Sequence, residues 1–215
     1  MNDRYSTSHL PEDQYEPGSN GLVLRNKLGI IAQEEMGIAE TAALWRVQEK
    51  LIEETAVDQS FTAHDIREMH RQWLGDIYSW AGMYRQVNIS KGDFQFAMAH
   101  AIPTLMDAFE RDQLQKYTPC EYESIDDVAQ ALGEVHVELM LIHPFREGNG
   151  RVGRLLATLM ALQAGLPVLD FGVLGGVRRA EYFAAVQAGM DTNYEPMKRL
   201  FKDIIERSLK TSQQL

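Results

Sequence analysis

Apolar residues recur along most of this chain at intervals of three and four, the spacing of one face of an α-helix. The pattern begins near Leu22, and between Met36 and Thr55 it runs through Leu44, Val47 and Leu51. Thr62 stands where an N-cap belongs, ahead of Ile66, Met69 and Trp73 on a single face. Pro103 suits the first turn of a helix running to about Tyr117. Ser124 caps the next helix, which carries Val128, Leu132, Val135, Leu139 and Ile142 and ends at Pro144. From Val152 to Leu162 the chain is apolar on nearly all sides, as expected of a helix in the middle of a bundle, and Gly165 and Pro167 stop it. Two more helices are expected over about 177–189 and 195–210, the second with Met197, Leu200, Phe201, Ile204, Ile205 and Leu209 on one face.

Two stretches depart from this period. Residues 1–20 are polar, contain Pro11, Pro17 and Gly18, and read as an extended arm. Residues 82–99 read as a β-hairpin: Val87 and Ile89 precede a Ser90-Lys91-Gly92-Asp93 turn, and Phe94 and Phe96 follow it. The expected fold is therefore mainly α, a helical bundle with one hairpin. After the arm, residues 21–215 form a single domain.

The chain has 215 residues and a formal net charge of −10. That charge opposes direct nucleic-acid binding, which needs a cationic surface. A single cysteine, Cys120, cannot form an internal disulfide, so a reducing, cytoplasmic compartment is expected. No apolar stretch reaches the length of a membrane span, and the first residues lack the basic and apolar regions of a signal peptide.

The densest chemistry lies at 143–154, His-Pro-Phe-Arg-Glu-Gly-Asn-Gly-Arg followed by Val-Gly-Arg, between two expected helices. Gly148 and Gly150 let backbone N–H groups approach phosphate oxygens, and the following helix points its dipole at the same place. Arg151 and Arg154 share a helix face and can reach one polyphosphate. Asn149 can donate from its side-chain amide, and Glu147 can hold a magnesium ion together with phosphate oxygens. His143, at the end of the preceding helix, can take a proton from an attacking hydroxyl. Phe145 is expected to plug into the core and anchor the loop, and Pro144 sets its backbone angle. Each residue has a purely structural reading too: a helix-end cap, a surface ion pair, a turn. Their conjunction carries the functional one.

Gly148-Asn149-Gly150-Arg151-Val152-Gly153 also satisfies G-x-G-x-x-G, with Asp170 about twenty residues on. A dinucleotide site needs a buried strand before the glycines and a parallel sheet around them. Here a helical pattern precedes, and the 45 residues after Asp170 look helical as well.

These residues resemble the Fic family. The motif H-P-F-x-[D/E]-G-N-G-R-x-x-R is matched at every fixed position by 143–154. Trp80-Ala81-Gly82 with Tyr84-Arg85 resembles the segment leading into the family's flap, and Asn88 to Phe94 resembles the flap itself. Tyr15-Glu-Pro-Gly with Leu24-Arg-Asn-Lys-Leu-Gly-Ile resembles the N-terminal part of toxin-type and effector members. In all, residues 15–205 are covered, with the Fic core at about 60–190, the flap at 82–99 and the motif at 143–154.

The resemblance implies a protein adenylyltransferase, moving AMP from ATP to a Tyr, Ser or Thr hydroxyl of a target protein. His143 would be the base and Glu147 the magnesium ligand. Lys91, Gly92, Gly148, Asn149, Gly150, Arg151 and Arg154 would face the nucleotide, Arg154 at the γ-phosphate. Ser90, Lys91, Gly92, Asp93 and Phe94 would dock the target by strand addition. Phosphate-transferring relatives carry Lys where this chain has Gly150, which favours AMP transfer. The inhibitory [S/T]-x-x-x-E-[G/N] helix of many members has no match; the nearest, Ser8 to Asp13, contains Pro11 and ends in Asp. The toxin half of a toxin–antitoxin pair is therefore expected, with a small separate antitoxin bringing a glutamate to Arg154; export into a host cell is the other location the resemblance allows. The alternatives are a silent nucleotide-binding or interaction module with the same fold, or transfer of another phosphate-linked group.

Overall fold

The periodic segments become helices whose ends are set by local chemistry. A computed structural model of the chain describes residues 7, 9–175 and 178–213. Helix α1 spans Gln33–Glu54 and buries a stripe of Met36, Glu40, Ala43 and Val47, with Leu44 and Leu51 half-buried beside it. Helix α2, Ala63–Leu74, opens on a reciprocal cap. Thr62 Oγ1 accepts from the N–H of Asp65 at 3.1 Å, and the Asp65 carboxylate accepts from the N–H of Thr62 at 2.8 Å. Strands β1 (Ser90–Lys91) and β2 (Phe94–Gln95) pair antiparallel, with Ser90 opposite Gln95 and Lys91 opposite Phe94.

A 3₁₀ turn at Ala99–Ala101 leads into α3, Ile102–Phe109. A π-helical stretch at Glu110–Leu114 passes into the short α4, Gln115–Tyr117. Then come α5 (Ile125–Ile142), α6 (Asn149–Gln163), α7 (Arg178–Ala188) and α8 (Glu195–Ser212).

Helix α5 is the axis of the bundle, with α3, α6, α7 and α8 packed around it. Its buried residues occupy nearly every face. Gly133 lets α8 come close, since a Cβ there would sit 3.1 Å from the backbone N of Lys198. Helix α6 is wedged between α5 and the α1–α2 pair and buries Val152, Leu155, Leu156, Leu159 and Met160. Each such side chain contributes about 1.5–3 kcal/mol by leaving water. The loop between the two most enclosed helices, 143–148, is thus held at both ends by the core.

Four expectations need correction. Residues 22–32 are not helical; α1 begins only at Gln33. The hairpin is far shorter than 82–99, with the turn at Gly92-Asp93 alone and Ser90 and Lys91 in the strand. Gly92 takes φ 58°, the positive value that a two-residue hairpin turn demands of its first position. The helix beginning near Pro103 does not run uniformly α to Tyr117 but changes period at Glu110. The arm is not extended over its described part. Pro11–Asp13 forms a 3₁₀ turn, and Tyr15 pairs with Leu24. Glu12 is buried: its carboxylate accepts from the N–H of Gln86 at 2.6 Å, and its carbonyl accepts from Arg146 Nε at 3.0 Å. Ser8 and residues 1–6 lie outside the described residues.

Candidate active site

Helix α5 stops because His143 leaves the helical region. His143 takes φ 52° and ψ 61°, left-handed values that cost a non-glycine residue about 1–2 kcal/mol. The turn swings the imidazole into a cleft of about 1020 Å³ between the flap, the loop and α7. Phe96 stacks on the ring at 3.8 Å between centroids. His143 Nδ1 lies 3.1 Å from the carbonyl oxygen of Met140. A carbonyl only accepts, so Nδ1 carries the proton and Nε2 keeps its lone pair. Burial pushes the His143 pKa down to about 4, against a partial offset from the Met140 bond. The imidazole is therefore neutral at physiological pH, with one nitrogen ready to accept a proton.

The loop after it is fastened from within. Phe145 is fully buried and stacks on His70 at 3.9 Å, as its anchor role requires. Pro144 is buried, and its carbonyl accepts from the N–H of Arg85 at 2.9 Å. The side-chain amide of Asn149 closes on Phe145 in both directions, Nδ2 to the carbonyl and Oδ1 from the N–H, each at 2.8 Å. That side chain shapes the loop with one of its two amide N–H donors, and Asn149 also lines the cleft. Gly148, the N-cap of α6, has φ 86°, and a Cβ there would lie 2.6 Å from the Trp73 ring. The first N–H groups of α6, at Asn149 and Gly150, take no carbonyl partner inside the helix and line the cleft.

Electrostatics single out this cavity. Lys91, Arg146, Arg151, Arg154 and Arg179 line it, with Glu147 as the one carboxylate among its described lining residues, in a chain of net charge −10. Arg154 is partly buried, and desolvation lowers its pKa. No carboxylate pairs with it among the described residues, which leaves its donors for a ligand anion. Arg151 is held more firmly than the sequence indicates. Its Nη1 donates to Glu40 at 2.7 Å, its Nη2 reaches Glu147 at 3.4 Å, and its guanidinium lies 4.5 Å above the Trp73 ring. Lys91 Nζ sits 3.7 Å from the Phe183 ring centre, so the flap tip touches α7 across the cleft. Burial and then the Arg179 charge lower the Lys91 pKa.

Glu147 is half-exposed and turned toward the cations. Magnesium binds through one or two carboxylates plus phosphate oxygens, and a lone reachable carboxylate beside a phosphate-sized cationic cup fits that ion. Among the described residues no cluster of three or more His, Cys, Asp and Glu could hold a metal unaided. In the flap, Ser90, Lys91, Gly92 and Asp93 are exposed, while Phe94 packs edge-on against Phe96 at 5.2 Å. Phe94 thus packs within the hairpin and also lines the cleft.

Three residues outside the motif support the site. Glu40 accepts from Tyr78 Oη at 2.7 Å as well as from Arg151. His70 is fully buried; its Nδ1 accepts from the N–H of Gly82 at 2.8 Å, so Nε2 donates to the carbonyl of Glu147 at 3.0 Å. Arg85, 1% exposed, reaches the carbonyl of His143. Glu40 stands on the apolar stripe of α1 and His70 on that of α2; a polar group at such a position is a legible sign. Arg85 lies outside any periodic element, and only its place in the stretch that resembles the lead into the flap marks it.

No helix among the described residues is long and apolar enough to cross a membrane. Residues 60–161 match the Fic/DOC family. The protein adenylyltransferase VbhT of Bartonella schoenbuchensis is 30% identical over 162 residues, 75% of this chain and 33% of that protein. The chain spans about a third or less of the length of the curated relatives it matches first. Its fold is shared with the BepC protein of Bartonella tribocorum, a VirB-translocated effector with bound AMPPNP, at a TM-score of 0.72 and 23% identity over 91% of this chain and 97% of that one. A Bartonella quintana Fic domain with bound ADP gives a TM-score of 0.71 at 25% identity, over 91% and 95%. Through this loop and the helices that hold it, the chain belongs to the Fic/DOC family.

Proposed function

We propose that the chain transfers AMP from ATP to a Tyr, Ser or Thr hydroxyl of a target protein. The target oxygen attacks the α-phosphorus, the bond to the β-phosphate oxygen breaks, and pyrophosphate leaves. Nε2 of His143 takes the hydroxyl proton. The backbone of 148–150 with Arg151 would receive the α- and β-phosphates, and Arg154 the γ-phosphate. Magnesium held by Glu147 would supply further charge neutralisation. Nucleotidyl transfer asks mainly for positioning and compensated charge, and the cleft offers both.

The observation that carries this reading is the pairing of a neutral His143, its tautomer fixed by Met140, with an Arg154 that has no acid partner among the described residues. Relatives named protein adenylyltransferase, and Fic neighbours with bound AMPPNP and ADP, support it. The exposed two-stranded flap leaves an edge for a target strand. The test is incubation of the purified chain with magnesium, target lysate and ATP labelled at either the α- or the γ-phosphate. Label entering protein from the α position alone supports AMP transfer; entry from the γ position would mean phosphorylation instead.

We further infer that inhibition comes from a separate small protein bringing a carboxylate to Arg154, as in a cytoplasmic toxin–antitoxin pair. The glutamate of the nearest match to the inhibitory motif, Glu12, is already committed to Gln86. The purified chain alone should then be active, and a silent preparation would count against this regulation.

A further inference from the structure

One guanidinium joins the flap to the base. Arg85 Nε donates to the carbonyl of His143 at 2.7 Å, and Nη1 to that of Val87 at 2.7 Å. Its Nη2 donates to Ala97 at 2.6 Å and to Ile142 at 3.3 Å. These four carbonyls belong to three separate segments: the C-terminal end of α5, the stem entering the flap and the stem leaving it. A buried cation is costly unless its donors are met, and here main-chain oxygens meet them. Among the described residues no carboxylate hydrogen-bonds to it; Glu12 acts on it only through its charge. Burial lowers the Arg85 pKa to about 10, so the group remains cationic at neutral pH. Carbonyls at a helix C-terminus carry partial negative charge, which a cation suits.

The bond to His143 has a particular target. That residue holds a left-handed backbone conformation, which persists only where the surroundings over-determine it. Arg85 grips the carbonyl of that residue while also holding both stems of the hairpin. Arg85 does not line the nucleotide cleft.

We propose that Arg85 is the positioning residue that fixes the flap relative to the His143 imidazole, so that a strand added to the hairpin presents its hydroxyl to Nε2. The catalytic consequence rests on the AMP-transfer reading; the joint itself does not. A misplacement of about 1 Å can cost about 100-fold in rate. Arg85→Gln removes the charge and most of the fork, and Arg85→Lys keeps a cation with fewer donors.

The test uses the full chain with both variants and three measurements: calorimetric ATP binding, single-turnover transfer from α-labelled ATP, and backbone hydrogen exchange. The expected result is ATP affinity within about twofold of wild type, as Arg85 is outside the cleft, with transfer about 100-fold slower in Arg85→Gln and partly restored in Arg85→Lys. The amides of Ala97 and His143 should exchange faster in both. The pH profile gives a further mark. Burial first, and the Arg85 charge among lesser causes, hold the His143 pKa low, so the acid limb should move to higher pH in Arg85→Gln and stay in Arg85→Lys.

Folded variants with wild-type transfer and wild-type exchange would overturn the proposal. If wild type transfers no label, the AMP-transfer reading fails by itself and the exchange arm still judges the joint. If neither variant folds, wild-type exchange decides: the Ala97 and His143 amides should open as one unit, and separate opening would overturn it.

Discussion

Glu40 and Arg151 stand 111 residues apart in sequence, and their side chains meet at 2.7 Å. The pair is largely dry, with side-chain exposures of 8% and 26%. It ties α1, which precedes the matched family region, to the first turn of α6 beneath the cleft. Glu40→Gln should lower stability by about 1–3 kcal/mol in urea titration, because a hydrogen bond to a charged group is lost inside the protein. Combined with Arg151→Ala, the loss should be well below the sum of the single losses. Additive losses would show that the two side chains are neighbours without being partners.

His143→Ala should reduce transfer by about 10²–10⁴-fold, the range for removal of a general base. ATP binding should persist, since the cations of the cleft are untouched. Retained transfer would remove His143 from the chemistry.

Arg154→Met tests the unpaired guanidinium. A partly buried cation with no acid partner among the described residues adds no ion pair to the free protein, so thermal stability without nucleotide should be equal or higher. Affinity for ATP should fall by about 10- to 100-fold, as expected for loss of a charge-assisted contact, and the rise in Tm on adding ATP should shrink with it. A variant destabilised in the free state would point to an unrecognised structural bond.

The two loop glycines should behave differently. Gly148→Ala meets both a positive φ and the Trp73 ring at 2.6 Å, whereas at Gly150 a Cβ would find Arg154 Nη1 at 3.5 Å, ordinary contact. Urea titration should show a loss of about 1–3 kcal/mol or more for Gly148→Ala, and almost none for Gly150→Ala. Equal losses would mean that α6 begins differently.

Acid should destabilise the fold through three histidines. Burial depresses the pKa of His70 to about 4, of His136 to about 3 and of His143 to about 4, from an ordinary 6.5. In the unfolded chain they take up protons near 6.5, in the folded chain only far lower. Stability is thus fully present above 6.5, is lost as pH falls toward 4, and levels off once the folded state is protonated too. Urea midpoints across that window would check this. His136→Gln and His70→Gln should each flatten the slope, and an unchanged slope would assign it to carboxylates.

Much of this was legible in the order of residues. The helices follow from three-and-four spacing, and Thr62 and Ser124 mark their starts. The motif could be read because its parts lie within one loop and one helical turn. What holds the motif could not. Arg85 reaches His143 across 58 residues, His70 reaches Glu147 across 77, and Glu40 reaches Arg151 across 111; no local period encodes such pairings. The loop-closing bonds of Asn149 were hidden for a different reason: an amide can serve its own loop as well as a ligand, and only the distances to Phe145 reveal the first.

The backward-bent backbone at residue 143 has an evolutionary corollary. Glycine would rest there without penalty, and asparagine nearly so, while histidine sits there against the grain of the main chain. A lineage released from its reaction would drift toward those two residues and gain robustness by doing so. On the proposed reaction the imidazole is a standing expense of keeping the chemistry, and its replacement by either residue in a descendant would mark retirement from it.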